Sequence, residues 1–258
     1  MKIRKNNKNV LNNLITKTLL RSVFLLTLFS GNKAQANDYD CTSLGQVPSG
    51  GDCAGMYIAT RSDLDAAISN NYVITHNGVN YTFTNDANNI YTGNIKNFSK
   101  LFKGKKQFNQ DIGYWDTSSA TNMNEMFSNA RKFDQDISNW NVSKVNKMNR
   151  MFFNARDFNQ DINGWDVSNV ETINLMFRNA YTFNQSLNSW NVGKVTQMAD
   201  MFRGARAFNG NISAWDTSKV TNFIGVFDGA KSFNQDISNW NVSSGTRMNR
   251  FLRNNPVF

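Results

Sequence analysis

His76 is the only histidine in this 258-residue chain, so any imidazole chemistry would have to be built around it. A Ser-His-Asp or Cys-His nucleophilic group would need it as the base, and no Gly-rich nucleophile elbow is present. His76 precedes Asn77-Gly78, the strongest short hairpin signal, which reads it as an exposed turn neighbour. Two cysteines and one histidine are too few for a four-ligand structural zinc site. Phosphate loops, dinucleotide fingerprints and His-Glu-x-x-His helices are missing from the sequence. No cofactor or metal is therefore expected, and the chain does not read as an enzyme. Recurring acids could still pair for glycoside hydrolysis, which leaves a secreted hydrolase as a third reading. An uninterrupted array without an inserted loop is a poor place for such a site.

Two periodic polar columns say more. The first is Asp116, Asn141, Asp166, Asn191, Asp216 and Asn241, acid and amide in strict alternation. Neighbouring strands lie about 4.8 Å apart. Stacked carboxylates there would repel by about 1 kcal/mol in water and by roughly 3–4 at an effective dielectric near 20. Alternation with Asn doubles the separation. In a leucine-rich-repeat geometry this row lies on the concave strand face, where it could meet a glycan or a protein. Calcium fits poorly, because convergent oxygen ligands are lacking. The plainer alternative is a polar ladder kept for solubility. The second column is Lys106, Arg131, Arg156, Tyr181, Arg206 and Lys231. Cations at helix C-termini are favourable by roughly 0.3–1 kcal/mol each, and Asp111, Asp136, Asp161 and Asp236 in the following loop could balance them. An anionic surface polymer is the functional alternative.

A strict 25-residue period positions both columns. Trp115, Trp140, Trp165, Trp190, Trp215 and Trp240 keep it, as do the series starting at Phe102 and Phe108, with no insertion or deletion. Repeats of this length cannot bury an apolar face alone and must stack on neighbours. The alternation around Trp165 and Val167 predicts a short strand with one buried face. Ser168 with Glu171 predicts a capping box opening a helix, and Ser118, Ser143, Gly193, Ser218 and Ser243 hold the equivalent cap position. Val145, Met148, Met151, Phe152 and Ala155 then form a stripe at helical spacing, read as core. The expected fold is α/β, a right-handed leucine-rich-repeat-like solenoid with one strand and one helix per repeat. It comprises a degenerate half-repeat at 90–100, six full repeats at 101–250 and a partial one at 251–258. Residues 57–89 read as an N-terminal cap, with a helix opened by Thr60-x-x-Asp63 and a hairpin at Asn77-Gly78.

The formal charge of +9 is unevenly distributed. Residues 1–36 hold seven Lys or Arg and no acid, and without them 21 basic residues face 19 acidic, a net +2. That near-neutral sum argues against a nucleic-acid partner. The cationic leader, the apolar run around Val23–Phe29 and Ala34-Gln35-Ala36 read as a secretory signal cleaved after Ala36, with an uncleaved amphipathic anchor as the alternative. No later stretch is apolar enough to cross a membrane. The expected address is the cell surface, the medium or the periplasm. In residues 37–56, Cys41 and Cys53 are expected to close a disulfide loop in an oxidising compartment.

Units such as MFSNARKFDQDISNWNVSKVNKM and MFFNARDFNQDINGWDVSNVETI resemble the BspA-like bacterial surface proteins with repeats of about 25 residues, a family common in mycoplasma surface lipoproteins. The resemblance covers about residues 57–258. It implies a leucine-rich-repeat-like fold, surface exposure and a role in adhesion, and it brings no catalytic residues. The chain departs from many members in having no lipobox before Cys41 and no wall-sorting signal. The expected function is binding of an extracellular protein or glycan through the strand face. The alternative is a scaffold that self-associates through an uncapped C-terminal end.

Overall fold

The computed structural model describes residues 52–53, 56–84 and 90–257, all within one compact unit. The expected signal segment and Cys41 lie outside the described residues. The front of the unit is a small mixed module. Strand β2 (Met56–Ile58) pairs antiparallel with β1 (Asp52–Cys53) and parallel with β5 (Ile90–Tyr91). Helix α1 (Arg61–Ser69) starts at Thr60, whose hydroxyl accepts from the Asp63 N–H while the Asp63 carboxylate accepts from the Thr60 N–H. This reciprocal box satisfies two of the orphan donors at the helix start. Strands β3 (Val73–His76) and β4 (Val79–Thr82) form a hairpin whose corner, Asn77-Gly78, has φ of 50° and 79°. Two left-handed residues in succession are what a type I′ turn demands.

From Ile95 onward, each 25-residue coil lies on the last. Isolated parallel bridges run Asn97, Asn122, Lys147, Thr172, Gln197, Asn222, Arg247. None of residues 92–257 is helical. The expected helix in each repeat is replaced by a ribbon of tight turns. In the first coil the N–H groups of Phe98, Lys100, Phe102 and Gly104 donate to carbonyls of Asn122, Asn124, Met126 and Ser128 in the next, at 2.7–2.9 Å. The intervening N–H groups of Leu101, Lys103 and Lys105 turn back to carbonyls three residues earlier. The same alternation recurs down to Phe223, Gly225, Phe227 and Gly229 bonding residues 247–253.

The reason lies in the backbone. An α-helix needs negative φ throughout and sends every N–H to its own segment. Here two positions per coil are left-handed. One is the Lys100, Glu125, Arg150 series; the other is Gly104, Asn129, Asn154, Asn179, Gly204, Gly229, Asn254. The second series contains only Gly and Asn, the residues that enter this region at least cost. Each left-handed residue breaks the helix and helps turn alternate N–H groups along the stacking axis. Steps of three and four among Met148, Met151, Phe152 and Ala155 suit this ribbon as well as a helix, and all four are fully buried.

The expected strand around each tryptophan is also absent; Trp165 sits beside a turn. The aromatic rings instead build the core as parallel stacks. Phe102 and Phe108 lie 3.8 Å apart within one coil, and Phe102 to Phe127 is 5.5 Å between coils. Trp140 stacks on Trp165 at 6.5 Å. The Nε1–H groups of Trp140, Trp165, Trp190, Trp215 and Trp240 donate to the carbonyl 28 residues earlier, at 2.8–3.1 Å. Each of these tryptophans therefore links its coil to the preceding one by dispersion and by a satisfied buried donor.

The front module imitates a preceding coil. Nη1 of Arg61 donates to the carbonyls of Asn97 and Ser99, both at 2.9 Å, at positions where later coils accept backbone N–H groups. Asp65 holds that guanidinium through Nε and Nη2. Phe83 packs edge-on against Trp115 and Phe102, and Tyr72 packs on Phe108.

Candidate recognition surfaces

The alternating Asp/Asn row occupies tight turns. In all six coils the Oδ1 atom accepts the backbone N–H two residues on. Asp116 takes Ser118, Asn141 takes Ser143 and Asp166 takes Ser168; Asn191 takes Gly193, Asp216 takes Ser218 and Asn241 takes Ser243, at 2.8–3.1 Å. These are Asx turns, which Asp and Asn serve equally because both present Oδ1. The Ser or Gly expected to cap a helix is the donor within this turn. Hydrogen bonds from Ser168 and Ser218 hold the Asp166 and Asp216 carboxyls below their ordinary pKa. The row is thus already occupied in shaping the backbone, although Asn141, Asp166, Asn191, Asp216 and Asn241 remain exposed.

The return loop, FNQDI in its commonest form, carries a ladder that local sequence reading missed. Oδ1 of Asn109 accepts the N–H of Asp134, which does the same for Asn159, and so on through Asn184 and Asn209 to Asn234. The amides of Gln160, Gln185 and Gln235 reinforce it. Asp111, Asp136, Asp161 and Asp236 each accept the N–H two residues on.

Those last four acids were expected to balance the basic column. Among the described residues, Asp111, Asp161 and Asp236 form no ion pair with it. Lys106, Arg131, Arg156, Arg206 and Lys231 sit on the turn that joins the two stacked phenylalanines of each coil, away from any helix end. Tyr181 takes the remaining position, with Arg156 at 5.1 Å and Arg206 at 4.5 Å from its ring centroid.

A second charged line, also missed, runs beside it on the turn ribbon. Lys103 pairs with Glu125, Arg178 and Arg203 with Asp200, and Arg203 and Arg253 with Asp228. Glu125 is lowered chiefly by its bond from Lys103. Arg178 is lowered by burial and by neighbouring arginines, Arg203 foremost.

Charge is therefore segregated within every coil. The ribbon segments (98–107 and their six equivalents) hold 14 Lys and Arg against four Asp and Glu. The segments between them (108–122 and their five equivalents) hold five against nine. The near-neutral total conceals a strongly basic edge. A coil-by-coil charge count would have revealed it.

A family model described as "Mycoplasma protein of unknown function, DUF285" matches residues 71–190 and 175–258. The chain belongs to that family. The two matches overlap at 175–190, and together they take in the hairpin and every full repeat of this DUF285 chain. Neither a curated protein nor a solved structure matches it.

Among the described residues of the DUF285 chain, no three His, Cys, Asp or Glu side chains are grouped to hold a metal ion. His76 lies 5.3 Å from the Tyr57 ring, and its Nε2 is 3.1 Å from the Asn77 amide. No described helix is long and apolar enough to cross a membrane.

Proposed function

We propose that this DUF285 chain is an exported, non-catalytic recognition module of the BspA-like kind, which grips an extended extracellular ligand across several coils at once. One observation carries the reading. Every coil repeats the same outward positions in one register, while its inward polar groups are used in coil-to-coil hydrogen bonds. A surface of that kind multiplies weak identical contacts. It also explains the absence of insertions, since one residue added to a coil would shift every ladder below it. The Asp/Asn row contributes by fixing turns, and the exposed columns beside it make contact.

The test is an array of glycans and matrix proteins, probed with the purified chain and with a variant lacking residues 151–200. That deletion removes two whole coils and keeps the register. Binding by the full chain that falls steeply in the shortened one supports the reading. Equal binding by both places the ligand on the front module or a single coil and contradicts it.

A second reading, self-association, is favoured by the coil around 242–257. Val242 and Met248 are 40% and 38% exposed there, whereas Val192 and Met198 at the same positions are buried. A second copy or a further coil seated on them would bury that surface. A sedimentation coefficient that rises with concentration, and stops rising when Val242 and Met248 become Ser, supports this second reading; a constant value rejects it.

A further inference from the structure

We infer that the basic edge is a track for a linear acidic polysaccharide running along the stack of coils, an inference that rests on the recognition reading above. Three observations converge on it. First, the cations outnumber what the protein neutralises. Of the 14 on the ribbon segments, only Lys103, Lys132, Arg178, Arg203 and Arg253 form ion pairs among the described residues. Among the described residues, Asp111, Asp161 and Asp236 between the ribbons form no ion pair with the rest. Second, the unpaired cations recur coil after coil. Lys106, Arg131, Arg156, Arg206 and Lys231 hold one column position across six coils, which spans roughly 24 Å at strand-like spacing. A ligand with one acid per sugar or per disaccharide can meet such a column repeatedly, and guanidinium groups suit carboxylate and sulfate oxygens.

Third, the edge offers nothing to a nucleobase. Single-stranded nucleic acids bind through aromatic platforms on which bases stack. The three partly exposed rings of this edge are already covered. Tyr181 lies between Arg156 and Arg206, Phe153 has Arg178 over its face at 5.7 Å, and Phe251 packs edge-on against Phe227 at 5.4 Å. All six tryptophans are buried in the core. What remains is dense positive charge at regular height with no means of reading bases, and that combination selects a polyanion whose charges repeat along a flexible sugar chain.

The experiment titrates the purified chain with heparin, polygalacturonate, neutral dextran and a single-stranded oligonucleotide. Two variants with equal charge loss are compared. One carries Lys106→Gln, Arg131→Gln and Lys231→Gln on the edge. The other carries Lys144→Gln, Lys194→Gln and Lys219→Gln between the ribbons. Near-ultraviolet circular dichroism of the stacked tryptophans confirms that both are folded. The expected result is binding to heparin or polygalacturonate that weakens between about 0.1 M and about 1 M salt, as the screening length falls from about 10 Å to about 3 Å. The edge variant should bind at least about tenfold more weakly, and the control within about twofold of wild type. Equal loss in both variants would reduce the effect to net charge and overturn the inference, as would tighter binding to the oligonucleotide. Binding only to dextran or another neutral ligand, still dependent on coil number, would keep the recognition reading and reject the acidic polysaccharide.

Discussion

At the scale of the residue, the repeated spacing of this chain serves partners that lie 24 to 28 positions away. Trp165 fills the core and donates to the Ile137 carbonyl. Trp165→Phe keeps much of the apolar contact and leaves that carbonyl to the Trp140 N–H alone, so it should cost about 0.5–1.5 kcal/mol in chemical denaturation; Trp165→Ala should cost about 3–5. No loss in Trp165→Phe would mean that the hydrogen bond contributes nothing. Asp228 carries a pH dependence. It is 3% exposed, and burial pushes its pKa up, but bonds from Arg253 and Asn254 and the charge of Arg203 outweigh this and leave it below the ordinary value. A carboxyl with a depressed folded pKa stabilises fully above its unfolded pKa near 4, and that contribution is lost as pH falls through the folded value. Asp228→Asn should therefore lower the melting temperature at about pH 7 and make little difference at about pH 2. A deficit that stays constant across that range would contradict the assignment. The inward Trp, Phe and Met positions were legible in the sequence because apolarity and period are local facts. The roles of Asn109, Asp134 and Asn159 were not, because an acceptor whose donor lies 25 residues on looks like any loop polar residue.

At the scale of the element, the helix of the front module and its hairpin were legible from the Thr60 to Asp63 box and from Asn77-Gly78. The repeats were not. Serine followed by apolar steps of three and four fits a capped helix, and it also fits a ribbon of turns whose alternate N–H groups leave for the next coil. The Gly/Asn series at 104, 129, 154, 179, 204, 229 and 254 was the visible signal for the second, since a helix has no need of it at a fixed position. Far-ultraviolet circular dichroism decides between them. The described residues contain one nine-residue helix, α1, so the spectrum should lack a dominant helical band. A spectrum showing one helix per repeat would contradict the ribbon. Arg61 closes the front of the ladder in place of a coil. Arg61→Ala should release the Asn97 and Ser99 carbonyls, cost about 1–3 kcal/mol, and speed amide exchange in the first coil before the fourth. Uniform exchange would show that the cap does not depend on Arg61.

At the scale of the whole molecule, the total charge misleads. A chain close to neutral outside its first 36 residues looked unsuited to nucleic acid, yet the coil places most of its cations on one segment and most of its acids on another. Stacking in register then turns a bias of a few charges per repeat into a continuous edge. The stack itself was foreshadowed by the period. The segregation required knowing where each turn falls, because a charge column has meaning only once its neighbours across the coil are known. The most direct test of coil-spanning recognition is a chemical footprint. Lysines and arginines would be modified in the free chain and in the chain saturated with heparin or whichever array ligand binds, then mapped by mass spectrometry. The expected result is protection of Lys106, Arg131, Arg156, Arg206 and Lys231 together, with Lys144, Lys194 and Lys219 unchanged. Protection confined to one coil or to the front module, or spread evenly over both sides of the coils, would contradict it.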